Sequence, residues 1–100
     1  MPSKHFKPAE VFHPGEYIRD ELEAKGWTQE QFAKVMGRPL QAINEIVNGK
    51  KAITAQTAKE LGLALGTGPD FWMNLQSYYE LHSTPEADPE IEKRARRLAV

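Results

Sequence analysis

The residue types best suited to chemistry in this sequence are side-chain amides. Gln41, Asn44, Glu45 and Asn48 fall at i, i+3, i+4 and i+7, a spacing that brings them onto one face of a helix. An amide both donates and accepts, so a Gln or Asn can pair bidentately with adenine in the major groove. A solvated polar face has the same composition, and what favours base reading is the position of the stripe on the second of two closely joined helices. Leu40, at the start of this helix, suits either contact with a thymine methyl or closure of the preceding turn. Lys50 and Lys51 follow Asn48-Gly49 in a predicted loop, where an ammonium and a backbone amide can meet one phosphate. Gln29, with the amides at the start of the preceding helix, offers a second phosphate site. Glu45 opposes binding to a polyanion unless it accepts from cytosine N4.

Catalytic chemistry finds little support. His5, His13 and His82 are scattered without an i, i+4 metal-ligand spacing, and each is expected at the surface. The absence of cysteine excludes disulfides, thiolate metal sites and cysteine nucleophiles. Glu16, Asp20, Glu21 and Glu23 read as a solvated, salt-bridging helix face. The expectation is a protein that is no enzyme and needs no metal or cofactor.

The elements that must position the amide stripe are helical. Pro14 opens a helix over about 14–25, with Tyr17, Ile18 and Leu22 inward and Gly26 as its stop. Thr28-Gln29-Glu30-Gln31 is a capping box leading into Phe32, Ala33 and Met36, and Gly37 ends this second helix. A short third helix over about 39–47, with Pro39 in its first turn, carries Ile43, Ile46 and Val47 on its inner face. From Gln29, a small residue (Ala33), a glycine (Gly37) and two branched residues (Ile43, Ile46) follow at offsets of 4, 8, 14 and 17, the pattern of a helix-turn-helix. Thr54 caps a fourth helix that Gly66 ends. A fifth begins near Pro69 and is rich in large apolar groups, with Trp72, Phe71 and Leu75 expected in the core; Tyr78 and Tyr79, as neighbours on a helix, cannot both face inward. Residues 90–98 read as a last short helix, acidic at its start and basic at its end.

One hundred residues, 40% hydrophobic, suffice for one all-α domain. We divide the chain into an N-terminal tail (1–10), a DNA-binding domain (11–82) and a C-terminal extension (83–100). The net charge of −1 argues against a generic polycation. Beneath that average, residues 28–51 carry +2 and residues 52–92 carry −6, which allows one face for an anion and another for a different partner. Without an apolar run of membrane-spanning length or a leader-like start, a soluble cytoplasmic protein is expected.

Several motifs together resemble the HigA family of bacterial antitoxins: His13-Pro14-Gly15-Glu16-Tyr17, Trp27-Thr28-Gln29-Glu30-Gln31-Phe32-Ala33, Ile43-Asn44-Glu45-Ile46-Val47-Asn48-Gly49-Lys50, and Ala64-Leu65-Gly66-Thr67 with Phe71-Trp72-Met73-Asn74-Leu75-Gln76. The middle of this set is common to phage-repressor-like (Xre) domains, whereas the HPGE entry and the FWxNLQ run are much more specific to HigA. The resemblance implies a five-helix repressor fold, a homodimer, a palindromic double-stranded operator and neutralisation of a RelE-like mRNA-cleaving toxin of the HigB type. It carries DNA contacts to Gln29, Leu40, Gln41, Asn44 and the Asn48-Gly49-Lys50 loop. Arg38-Pro39-Leu40 departs from the family pattern, which has a serine cap and a polar first reading residue there; Arg38 is the candidate to replace the lost phosphate contact. The metallopeptidase extension of some relatives is not expected, because the sequence has no HExxH.

Tyr78, Tyr79, Leu81, Ile91 and Leu98 are the candidates for a dimer or toxin interface. The last helix is too short to be stable alone and is expected to pack on its own domain or on a sister subunit. Two rival readings keep the same fold: a protein-binding module without DNA contact, and a stand-alone Xre-type regulator with no toxin.

Overall fold

Helix ends fall where residues can satisfy the backbone groups that a helix leaves open. The computed structural model describes residues 11–99, which hold α1 (Pro14–Lys25), α2 (Gln29–Met36), α3 (Leu40–Val47), α4 (Ala55–Leu65), α5 (Pro69–Ser83) and α6 (Glu90–Leu98). No strand occurs among the described residues. The tail expected over 1–10 lies outside them.

The capping box forms as read. Gln31 N donates to Thr28 Oγ1 at 3.1 Å, and Thr28 N donates to Gln31 Oε1 at 2.8 Å. Thr54 caps α4 in the same way, its Oγ1 accepting from Thr57 N at 3.2 Å. Gly37 closes α2 at φ 68°, a left-handed conformation that a side chain would strain. The third helix starts one residue later than expected: Pro39 is its N-cap, at φ −61° and ψ 148°. The ring fixes φ but leaves ψ free to be extended, and the Pro39 carbonyl accepts from Ile43 N at 3.2 Å.

The core draws on all of the first five helices: Ile18 and Leu22 of α1, Phe32 and Ala33 of α2, Ile43, Ile46 and Val47 of α3, Ala58, Leu61 and Leu65 of α4, and Trp72 of α5, with Ile53 from the connecting loop. Trp72 is fully buried and its indole N–H donates to Thr67 Oγ1 at 2.7 Å, so its one polar atom has a partner. Phe71 corrects the expectation for the aromatic run. It is 43% exposed, because successive helix positions diverge by about 100° and Trp72 holds the inward one. Its ring instead meets Trp72 edge-on at 4.9 Å and Tyr17 at 6.3 Å.

α6 buries none of its residues, so of the two packings expected for so short a helix, on its own domain or on a sister subunit, the first is not found. Its polar side is tied by Lys93–Glu90, Arg94–Asp88 and Arg96–Glu92 pairs at 3.4, 3.2 and 3.6 Å.

Candidate nucleic-acid interface

The helix pair is assembled from α2 and α3, which pack on each other across the Gly37 turn and give Phe32, Ala33, Ile43, Ile46 and Val47 to the common core. Burial of Ile43, Ile46 and Val47 turns the opposite side of α3 outward. Gln41 and Asn48 are exposed there, with Asn44 and Glu45 half-buried between them. Leu40 is 39% exposed and stands on the surface, where it is available to an outside partner. Gln29 is half-buried at the start of α2.

The loop after α3 differs from its reading in one respect. Gly49, at φ 77°, reverses the chain, and the N–H groups of Lys50 and Lys51 both donate to the Glu45 carbonyl, at 2.8 and 3.2 Å. Closing the end of the helix uses those amides. What remains for a phosphate is the pair of exposed ammonium groups. At the open end of α2 the Gln31 and Phe32 amides are bonded to Thr28, whereas the Gln29 and Glu30 amides, in the first turn, have no helical acceptor.

Arg38 was the candidate for a replaced phosphate contact, and its place in the fold gives it other work. Its Nη2 lies 2.6 Å from Glu60 Oε1 and donates to Thr57 Oγ1 at 3.3 Å, both on α4. The guanidinium thus braces the turn against α4, with its charge already met by a carboxylate.

Three residues outside the helix pair set its position. Gly15 lies against the end of α3 so closely that a Cβ there would stand 2.1 Å from the Val47 carbonyl oxygen. His13 corrects its reading as a surface histidine. It is the N-cap of α1, Nδ1 accepting from Gly15 N at 3.1 Å, and its ring packs on Gly49 and meets Tyr79 edge-on at 6.1 Å. Gln76, buried on α5, accepts from Ile53 N at 2.8 Å and donates to Glu80 Oε2 at 2.8 Å, which pins the far end of the lysine loop. The His13-Pro14 start of a helix and a polar residue one turn after Trp72 were the signals for these roles. Neither shows, in sequence, which distant backbone atom it serves.

The interface candidates divide. Tyr78, Leu81, Ile91 and Leu98 are 48, 73, 53 and 88% exposed. Tyr79 is half-buried and committed to His13. His82 is exposed and lies against Tyr78, with ring centroids 4.1 Å apart. Among the described residues there is no cluster of side chains able to hold a metal, and no helix is long and apolar enough to cross a membrane.

Comparison with known proteins agrees with this arrangement. The family model described as Helix-turn-helix matches residues 18–72. Virulence-associated protein A' of Dichelobacter nodosus is 36% identical over 75 residues, a match that covers 74% of this chain and 65% of that protein. Antitoxin HigA-1 of Vibrio cholerae is 34% identical over 87 residues, covering 86% of this chain and 82% of its own. Among solved structures, the chain is similar to the Pseudomonas aeruginosa antitoxin HigA with the higBA promoter: TM-score 0.70, 30% identity, 90% of this chain and 92% of that one covered.

Proposed function

Because the chain belongs to the Helix-turn-helix family, in its HigA antitoxin branch, we propose that it is a cytoplasmic transcriptional repressor that binds a palindromic operator as a homodimer and neutralises a RelE-like toxin. Residues 11–82 are the DNA-binding domain in this reading and 83–100 an extension. The observation that carries it is the outward amide face of α3, Gln41 and Asn44 with Asn48, on a helix packed against α1 and α2 and flanked by the exposed Lys50 and Lys51. Gln41 and Asn44 read base edges, Leu40 meets a thymine methyl, and the lysines with the open end of α2 at Gln29 hold phosphates. Arg38 acts on the turn rather than on DNA.

A twofold operator places two reading helices about 34 Å apart. The exposed apolar groups Tyr78 and Leu81 on α5 and Ile91 and Leu98 on α6 stand on helices outside the α2–α3 pair and serve the partner protomer or the toxin. The related HigA proteins support the antitoxin assignment, one by its name and one by its promoter complex.

The test is Gln41→Ala titrated against duplexes from upstream of the gene, each with one base pair changed. Loss of about 1–3 kcal/mol of discrimination at one base position is expected, with the other positions read as before. A Gln41→Ala protein with unchanged affinity at every position removes α3 from its role.

A further inference from the structure

Arg19 stands on α1, outside the helix pair, yet its guanidinium reaches the end of the reading helix. Nη2 donates to Asn48 Oδ1 at 2.5 Å, and both side chains are exposed. Arg38, Arg94 and Arg96 each face a carboxylate. Arg19 has no carboxylate within ion-pair distance among the described residues, so its charge is not met by them. Its location follows from the way α1 lies along the end of α3: His13 touches Gly49, Gly15 touches Val47 and, one turn on, Arg19 touches Asn48. The guanidinium therefore sits beside the turn that carries Lys50 and Lys51.

On the DNA-binding reading of the preceding subsection, we infer that Arg19 is a further DNA-binding residue, a phosphate clamp on α1 that also turns the Asn48 amide so that its NH2 faces outward. A guanidinium carries five N–H donors in a rigid fork suited to phosphate. One bond to Asn48 leaves the others for an acceptor outside the chain. The same bond determines what Asn48 can do. A guanidinium only donates, so the amide oxygen must face it and the amide NH2 faces away. Bidentate recognition of adenine needs the oxygen to accept from N6 while the nitrogen donates to N7. With Oδ1 turned toward Arg19, Asn48 presents its NH2 outward, which suits a phosphate oxygen. Base reading on α3 then falls to Gln41 and Asn44, and Arg19, Asn48, Lys50 and Lys51 form one phosphate-holding edge.

The experiment titrates the full chain against the duplex from upstream of its gene and against an unrelated duplex, over a range of salt. The proteins are wild type, Arg19→Ala, Arg19→Gln, Asn48→Ala and, as references, Gln41→Ala and Lys50→Ala. Arg19→Ala is expected to weaken both duplexes by the same factor, roughly five- to tenfold near 0.1 M salt, and to reduce the slope of log K against log salt by about 0.9. Arg19→Gln keeps a donor for Asn48 without the charge and is expected to lose the same slope, which separates charge from any effect on folding. Asn48→Ala is expected to weaken both duplexes alike. A wild-type slope in both Arg19 variants overturns the inference, as does an Asn48→Ala protein that loses affinity only for the upstream duplex. If the Arg19 variants behave as wild type while Gln41→Ala and Lys50→Ala lose binding, this inference alone fails. If the wild type binds neither duplex, the DNA-binding reading fails with it.

Discussion

Gly15→Ala probes how firmly α1 sets the position of the reading helix. A Cβ at residue 15 would lie 2.1 Å from the Val47 carbonyl oxygen, 2.6 Å from its carbon and 2.8 Å from His13 Cε1. A close carbon–oxygen contact is about 3.3 Å, so the two backbones must part by roughly 1 Å. Two terms oppose each other. Alanine is favoured over glycine in a helix interior by about 1 kcal/mol, and by less in a first turn such as this one. Overpacking costs about 1–3 kcal/mol, and here the obstruction is backbone, so no rotamer change relieves it. The steric term wins, leaving the domain destabilised by about 1–2 kcal/mol and its Tm lowered by about 5–15 °C. Because Val47 ends α3, the displacement also moves the amide face, so DNA affinity falls even where the variant is fully folded. Gly68→Ala is the control: nothing lies within 4 Å of its added carbon, and its stability should stay within about 0.5 kcal/mol of wild type. Thermal and urea denaturation followed by circular dichroism measure both. A Gly15→Ala protein as stable as wild type, or more so, would refute the close approach of α1 to α3.

Two further substitutions test the supports of the site. Gln76→Leu leaves the buried Ile53 N–H without an acceptor and should cost about 1–3 kcal/mol in denaturation; it should also weaken DNA binding by loosening the lysine loop, and unchanged stability would show that this bond does not hold the loop. Arg38→Ala removes the brace between the turn and α4 and should lower stability by about 0.5–1 kcal/mol while leaving the salt dependence of DNA binding as in wild type. A reduced salt slope in that variant would return Arg38 to the phosphates.

The helices were legible because their signals are local. Thr28 with Gln31, Thr54, and the stopping glycines Gly26, Gly37 and Gly66 act on atoms within a few residues, and the inner faces of α2 and α3 are written in their 3.6-residue period. The outward amide stripe follows from the same period. Less was legible wherever a side chain serves an atom far along the chain. Arg38 reads as a free cation beside a turn until the fold brings Glu60 to it. His13 reads as a surface residue until Gly49 and Tyr79 close around it. The backbone amides of Lys50 and Lys51 read as available until the Glu45 carbonyl takes both. Arg19 reads as one more exposed cation, because nothing in the sequence of α1 marks which of its charged residues reaches the end of α3. Phe71 was misplaced for a different reason: an aromatic run says how much apolar surface a helix carries, while its phase, set here by Trp72, decides which rings are buried.

The central claim is that the amide face of α3 and its flanking cations bind DNA by sequence. Its most direct test is a salt-dependent titration of the purified protein against the duplex upstream of its gene, with an unrelated duplex beside it. The account predicts a symmetric site bound at least about a thousandfold more tightly than the unrelated duplex, with affinity for both falling steeply as salt rises. Equal affinity for the two duplexes, or no binding to either, would contradict it.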